Sequence, residues 1–310
     1  MTNKERYRQL CETEGVFVPL FQQHWWMETV CHGKRWDVLF AGNDGNGRPT
    51  GALPYLVGRK LGLTYILQPE LTMYNGPWLA DTLSPDGRMK ALTDLANQLD
   101  SLHPALYMQK FHPSVTNWLP FYWKGFRQTT RYTYRLDPLP APTVLRTMAA
   151  KERRKGTEAV EEAYTVDRQV GIEEFADFHT AYWERRSGYD LLGHDFIRRV
   201  CRTALDRGQA LLYGLRDSQG TLMAARFVVF DSQCAYSLLS AIHPQALRNS
   251  MTFLVWSLVA DLHGHTSAFD FEGSMDPGIG HFYRSFGSTM TPLLCVYRSR
   301  LPFAKKILKL

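Results

Sequence analysis

Apolar and polar positions along this chain fall into two rhythms that recur in the same order. From Trp36 the segments WDVLFAG, NDGNG and RPTGALPYLVG set two apolar, β-rich runs around Asp-Gly and Asn-Gly, which predicts a β-hairpin. LTYILQPELTMYNGPWLA, which follows, is extended in character. In SPDGRMKALTDLANQLDSL, Leu92, Leu95, Leu99 and Leu102 recur at helical spacing, so a helix is predicted there. ALYMQKF predicts a strand, and FYWKGFRQTTRYTYRLD a turn followed by an alternating strand. Prolines at 138, 140 and 142 then mark a stiff connector.

The second half repeats the plan. A basic helix over 145–163 precedes two amphipathic helices, GIEEFADFHTAYWERRS and GHDFIRRVCRTALDRG, each acidic near its start and basic near its end. ALLYGLRD and TLMAARFVVFD flank the turn Ser218-Gln219-Gly220 as a hairpin, CAYSLLSAI is a further strand, and an apolar helix runs from about Asn249 to Leu262. The strand SAFDFEGS, the helical turn HFYRSFGS and the strand TPLLCVYRS close the series. Phe121-Tyr-Trp-Lys-Gly-Phe126 corresponds to Phe282-Tyr-Arg-Ser-Phe-Gly287, each before a Thr-rich strand. The pattern therefore predicts an internal duplication of one α/β unit, with residues 1–139 and 140–310 as its copies.

At 310 residues, with 45% apolar and 21% charged positions, the composition excludes a disordered, collagenous or coiled-coil chain. No stretch approaches the ~18 uninterrupted apolar residues of a spanning helix. The opening MTNKERYRQLCETEG is charged where a secretory signal is apolar, so a cytoplasmic location is expected. Cys11, Cys31, Cys201, Cys234 and Cys295 are odd in number and widely spaced, as expected of reduced thiols rather than a disulfide or zinc framework. His263-Gly-His265 lacks an acid at helpful spacing, and no metal is expected. No Gly-x-Ser-x-Gly elbow or catalytic cysteine motif points to a hydrolase. The net charge of +6 is concentrated in Lys151-Glu-Arg-Arg-Lys155 and in the tail, where FAKKILKL alternates apolar residues with lysines. Such a tail suits peripheral contact with the anionic inner face of a membrane.

The order of elements, together with DFEGS at 270–274, HFYRSFGS at 281–288 and LRNSMTFLVWSLV at 247–259, resembles the GNAT acyltransferase fold. The tandem, with KERRKG opening the second copy, resembles the Fem-type aminoacyl transferases. The resemblance covers nearly the whole chain. It implies an α/β (α+β) tandem of GNAT-like units, each a mixed sheet flanked by helices. It further implies transfer of an activated acyl group to an amine on a small molecule, peptide, lipid or cell-wall precursor. The donor would be acyl-CoA or aminoacyl-tRNA, with no tightly bound cofactor and with tRNA as the partner in the second case. A CoA-dependent small-molecule acetyltransferase and an inert GNAT-like binding protein are the alternatives.

The second unit is expected on the donor side, with Arg248, Asn249 and Ser250 at the start of the apolar helix receiving phosphates. Gln245-Ala-Leu-Arg248-Asn-Ser250 departs from the Gln/Arg-x-x-Gly-x-Gly/Ala loop of CoA-dependent relatives, an arginine standing at the first glycine. That side chain either obstructs close approach or supplies a guanidinium. Arg226, inside an apolar strand, needs an anion, either Asp270 and Glu272 or a ligand's phosphate or carboxylate. Strand alternation sends Phe269 and Phe271 to the core and Asp270 and Glu272 to a cleft beside Arg226. Glu272 is then the proton acceptor, Asp270 its orienting partner and Tyr236 the proton donor. Tyr74, Asn75 and Trp78 in the first unit, with His281, Tyr283 and Arg284, are the expected substrate contacts.

Overall fold

A computed structural model describes residues 1–301 apart from 149–150 and 191, and leaves the side chains of 145, 146, 148 and 151–155 undescribed. The expected basic contacts of 151–155 and of the tail beyond 301 therefore lie outside the described residues. The first repeat opens with α1 (Asn3–Cys11), started by a reciprocal capping box between Thr2 and Glu5, and α2 (His24–Val30). It continues with β1 (Arg35–Asn43), β2 (Pro49–Lys60), β3 (Leu63–Leu67), β4 (Trp78–Leu79), α3 (Pro85–Ser101), β5 (Leu106–Lys110), α4 (Leu119–Trp123) and β6 (Arg127–Leu136). The hairpin forms where Asp-Gly and Asn-Gly predict it: Asp44 Oδ1 accepts the N–H groups of Asn46 and Arg48, both at 2.8 Å. The leucine stripe of α3 is buried through Leu92, Leu95 and Leu99, and the helix is the crossover that sets β5 parallel to β3.

The second repeat comprises α5 (Pro142–Met148), α6 (Lys151–Ala163), β7 (Thr165–Asp167), α7 (Ile172–Ser187), α8 (His194–Asp206) and β8 (Ala210–Arg216). After these come β9 (Leu222–Phe230), β10 (Ala235–Ile242), α9 (Ser250–Leu262), β11 (Phe269–Asp270), α10 (Pro277–Arg284) and β12 (Thr289–Ser299). Strands β8, β9 and β10 form an antiparallel meander, and α9 crosses over to set β11 parallel to β10. Apolar residues on every side of α9 require burial all round, and Leu254, Val255, Leu258, Val259 and Leu262 are fully enclosed. Each repeat is thus a meander, a crossover helix, a parallel strand, a short helix and a last strand.

Packing divides the chain earlier than the proline segment. One unit is Met1–Arg131 with the chain from Pro292 onward, and the other is Tyr132–Thr291. The reason is an exchange of last strands. In the first unit β12, from the second repeat, pairs antiparallel with β5 from Cys295 to Ser299. In the second unit β6, from the first repeat, pairs with β11. Sequence repeats and packed units therefore differ by one strand each.

The strand expected over SAFDFEGS is cut short. β11 ends at Asp270 because Glu272 adopts a left-handed backbone with φ 63°. The turn brings Gly273 against β6, where a Cβ would lie 2.4 Å from the Tyr132 carbonyl oxygen. Since that neighbour is backbone, Gly273→Ala is expected to destabilise the second unit by about 1–3 kcal/mol, read as a lower urea midpoint at unchanged slope.

Candidate active site

Pairing between β10 and β11 covers only Ala235 with Phe269 and Tyr236 with Asp270. Beyond that rung β10 runs on from Ser237 to Ile242 with no strand beside it on this edge among the described residues, so a gap opens in the second unit's sheet. On its other edge β10 is bulged between Ser237 and Leu239 against β9. The chain then leads into α9. Asn249 precedes this helix in a left-handed conformation (φ 72°), and its side chain makes no capping bond. The approach is tied down nevertheless: the Leu247 N–H donates to the Tyr164 hydroxyl (3.1 Å) and the Ser250 hydroxyl to the Leu247 carbonyl (2.6 Å). A Cβ on Gly156 would lie 2.0 Å from Asn249 Nδ2, so glycine there lets α6 close on the helix start. Arg248 is exposed at this point. The first N–H groups of a helix favour an anion, although that of Ser250 already donates to the Leu247 carbonyl (3.2 Å).

Asp270 is 1% exposed and shares its rung with Arg135 of β6 as well as Tyr236. Its Oδ1 accepts from the Thr133 hydroxyl and from the Glu272 N–H (2.8 Å), and its Oδ2 has no hydrogen-bond partner. Burial pushes its carboxyl up to about 6, against the opposing pull of the Thr133 hydroxyl, the Arg135 charge and the Glu272 N–H. Asp270 thus fixes the left-handed turn that carries Glu272. Phe269 and Phe271 both enter the core, 5.0 Å apart, as alternation requires.

Arg226 is 4% exposed on the same sheet face as Ala224 and Val228. Its Nη1 donates to the Ser237 hydroxyl, and its Nε has no partner. The expected ion pair with Asp270 or Glu272 is not formed. Asp270 shares the opposite face with Tyr236, and Glu272 lies beyond the turn that ends strand alternation. Tyr236 is correspondingly corrected: only 2% exposed, it lies against Cys234 and Arg135, away from Arg226. The phenol that does share this space is Tyr283. Burial raises its hydroxyl's proton affinity, the Arg226 charge opposes this, and the charges of Glu272 and Asp270 add to it. Its ring stacks on Phe271 at 4.9 Å and 28°.

The remaining residues separate. Arg284 reaches the Tyr134 hydroxyl with Nη1 (3.3 Å) beside Tyr283, whereas His281 is exposed on α10. In the first unit, Tyr74 packs edge-on against Phe21 (5.4 Å) and His112 (4.6 Å). Asn75 is fully enclosed, and Trp78 donates its ring N–H to the Phe17 carbonyl (2.8 Å). These are positions of core packing; of the three, Trp78 also lines a pocket of about 190 Å³ with Phe17, Arg48 and Asp81. Thr133 and Ser237, which hold Asp270 and Arg226, carry no signal in the sequence and appear only through strand register. Among the described residues no group of His, Cys, Asp or Glu can hold a metal, and no helix is long and apolar enough to cross a membrane.

Residues 144–281 match the family described as Acetyltransferase (GNAT) domain. No curated protein matches the sequence. FemX shares the fold at a TM-score of 0.66 and 13% identity, over 95% of this chain and 96% of that one. The C-terminal domain (DUF2156) of a putative lysylphosphatidylglycerol synthetase from Agrobacterium fabrum gives 0.60 and 12%, covering 99% of this chain and 95% of that one. A tandem GNAT protein from the clavulanic acid biosynthesis pathway, solved without AcCoA, gives 0.58 and 11%, covering 95% and 94%. Residues 144–281 accordingly match a GNAT acetyltransferase domain, set in a chain that follows a tandem GNAT fold over nearly its whole length.

Proposed function

We propose that the chain transfers an acyl group from an acyl-CoA thioester to an amine on a small molecule or peptide, in the gap between β10 and β11. The observation that carries this reading is the two-rung pairing of those strands beside the uncapped start of α9. A thioester arm fits an open strand edge, whose free backbone N–H groups suit a carbonyl oxygen turning into an oxyanion. The donor's phosphates then meet the N–H groups of α9 and the exposed Arg248. Acyl-CoA is favoured over aminoacyl-tRNA because the matched family is one of acetyltransferases. The likeness to FemX and to a putative lysylphosphatidylglycerol synthetase supports an amine or lipid-linked acceptor class without selecting a member.

In this scheme the acceptor amine attacks the thioester carbonyl, forming the new C–N bond. Glu272 takes the proton that the nitrogen loses. The tetrahedral intermediate then breaks its C–S bond, and Tyr283, which holds its proton tightly, supplies one to the leaving sulfur. Asp270 touches none of the reacting atoms. It positions Glu272 by accepting the N–H of that residue.

Glu272→Gln keeps size and polarity while removing basicity, so kcat is expected to fall about 10²–10⁴-fold with acetyl-CoA binding intact, as checked by turnover and calorimetry. Arg248→Glu is expected to weaken CoA binding about tenfold and to flatten its salt dependence. Asp270→Asn tests the cost of burying this carboxyl, through pH. The folded carboxyl keeps its proton to about pH 6, against an ordinary value of 3.8, so stability present at low pH is lost as pH rises through that window. The asparagine variant is therefore expected to be more stable than wild type at pH 8, on the order of 2–3 kcal/mol, with the difference gone near pH 4. Urea unfolding at the two pH values measures it.

A further inference from the structure

A guanidinium enclosed among apolar side chains normally faces a carboxylate, because an unpaired charge there opposes folding. Among the described residues Arg226 faces none: its single hydrogen bond there runs from Nη1 to the neutral hydroxyl of Ser237, and its Nε is unpartnered. The position is specific. Ser237 is the first residue of β10 past the last rung with β11, and Tyr283, whose hydroxyl interacts with the Arg226 charge, stacks on Phe271, the first residue after β11. The guanidinium therefore lies where the two strands begin to part, with its Nε unpartnered and no hydrogen bond from Nη2 among the described residues. Two parallel N–H donors on one planar edge match the two oxygens of a carboxylate. The donor's phosphates have α9 and Arg248 at the other end of β10.

We infer that Arg226 is the receptor for a carboxylate that the substrate carries into the gap between β10 and β11. The inference rests on the acyl-transfer reading above and narrows its substrates to those bearing an acid group, either on the acyl chain or on the amine acceptor.

Calorimetry on the full chain separates the two sources with paired probes: succinyl-CoA against acetyl-CoA, and glycine against glycinamide. In one pair the wild type is expected to bind the carboxylate-bearing probe about tenfold or more tightly than its counterpart. Arg226→Met is expected to abolish that preference and leave acetyl-CoA affinity within about twofold. Arg226→Lys, which keeps charge without the planar fork, retains only part of it and guards against a misfolded methionine variant. In the ligand-free chain Arg226→Met is expected to raise Tm, since it removes a buried charge that lacks a counter-ion. No preference in either pair, or a preference that the methionine variant keeps, overturns the proposal. So does an equal loss of acetyl-CoA binding, which would make Arg226 part of the general donor site. If acetyl-CoA binds neither protein while a glycine preference depends on Arg226, the carboxylate receptor stands and the acyl-CoA reading falls.

Discussion

Two rungs join β11 to β10, and the chain then turns away because Glu272 is left-handed and its N–H is held by the Asp270 carboxylate. A non-glycine residue in that conformation costs about 1–2 kcal/mol. A hydrogen bond to a charged acceptor returns about 1.5–3 kcal/mol, so the turn is self-supporting once Asp270 is in place. Everything described at the gap depends on it. A strand that ran on through Glu272 would continue the pairing with β10, and no edge would remain open. The same turn lets Phe271 enter the core and carry Tyr283 on its ring.

Asp270 and Arg226 are both nearly inaccessible, and both are ionisable, yet they lie on opposite faces of the sheet and do not neutralise one another. Neither placement helps folding. Burial opposes the carboxylate on one side and the guanidinium on the other, and partial compensation comes from Thr133, Arg135 and Ser237. Polar groups that weaken a core persist where activity needs them. That the two acidic and basic centres are separated by a sheet, rather than joined across a cleft, keeps each free of the other and available for a different task.

Much of this fold is legible in the sequence, because hairpin punctuation, the α3 leucine stripe and the all-round apolar α9 each admit one solution. The alternation Phe269-Asp270-Phe271 also reads correctly. Three things escape it. The bulge between Ser237 and Leu239 breaks strand parity, so Ser237 and Ser240 share the face of Arg226 although they are three apart. The left-handed residue at 272 ends the period of two on which the pairing of Glu272 with Arg226 rests. The aromatic richness of 73–78 says only that these residues are large, and Tyr74 and Asn75 are large or polar residues used for packing. Register and backbone handedness, rather than residue type, decide the site, and neither has a compositional signature.

The exchange of last strands has a consequence for how the protein is made. Residues up to Arg131 leave the ribosome first, but β5 has no antiparallel partner until β12, ending at Ser299, has been synthesised. The second unit, whose β6 precedes the rest of it in the chain, has its strands β6 to β11 by Asp270 and is complete at Thr291, so it can assemble while synthesis continues. The N-terminal portion must therefore wait with an unpaired strand edge while the later portion folds, an order opposite to the usual N-terminal-first progression and one that exposes the early chain to misassembly. Splitting the gene at the proline segment would give two halves, each holding a strand that belongs to the other's sheet.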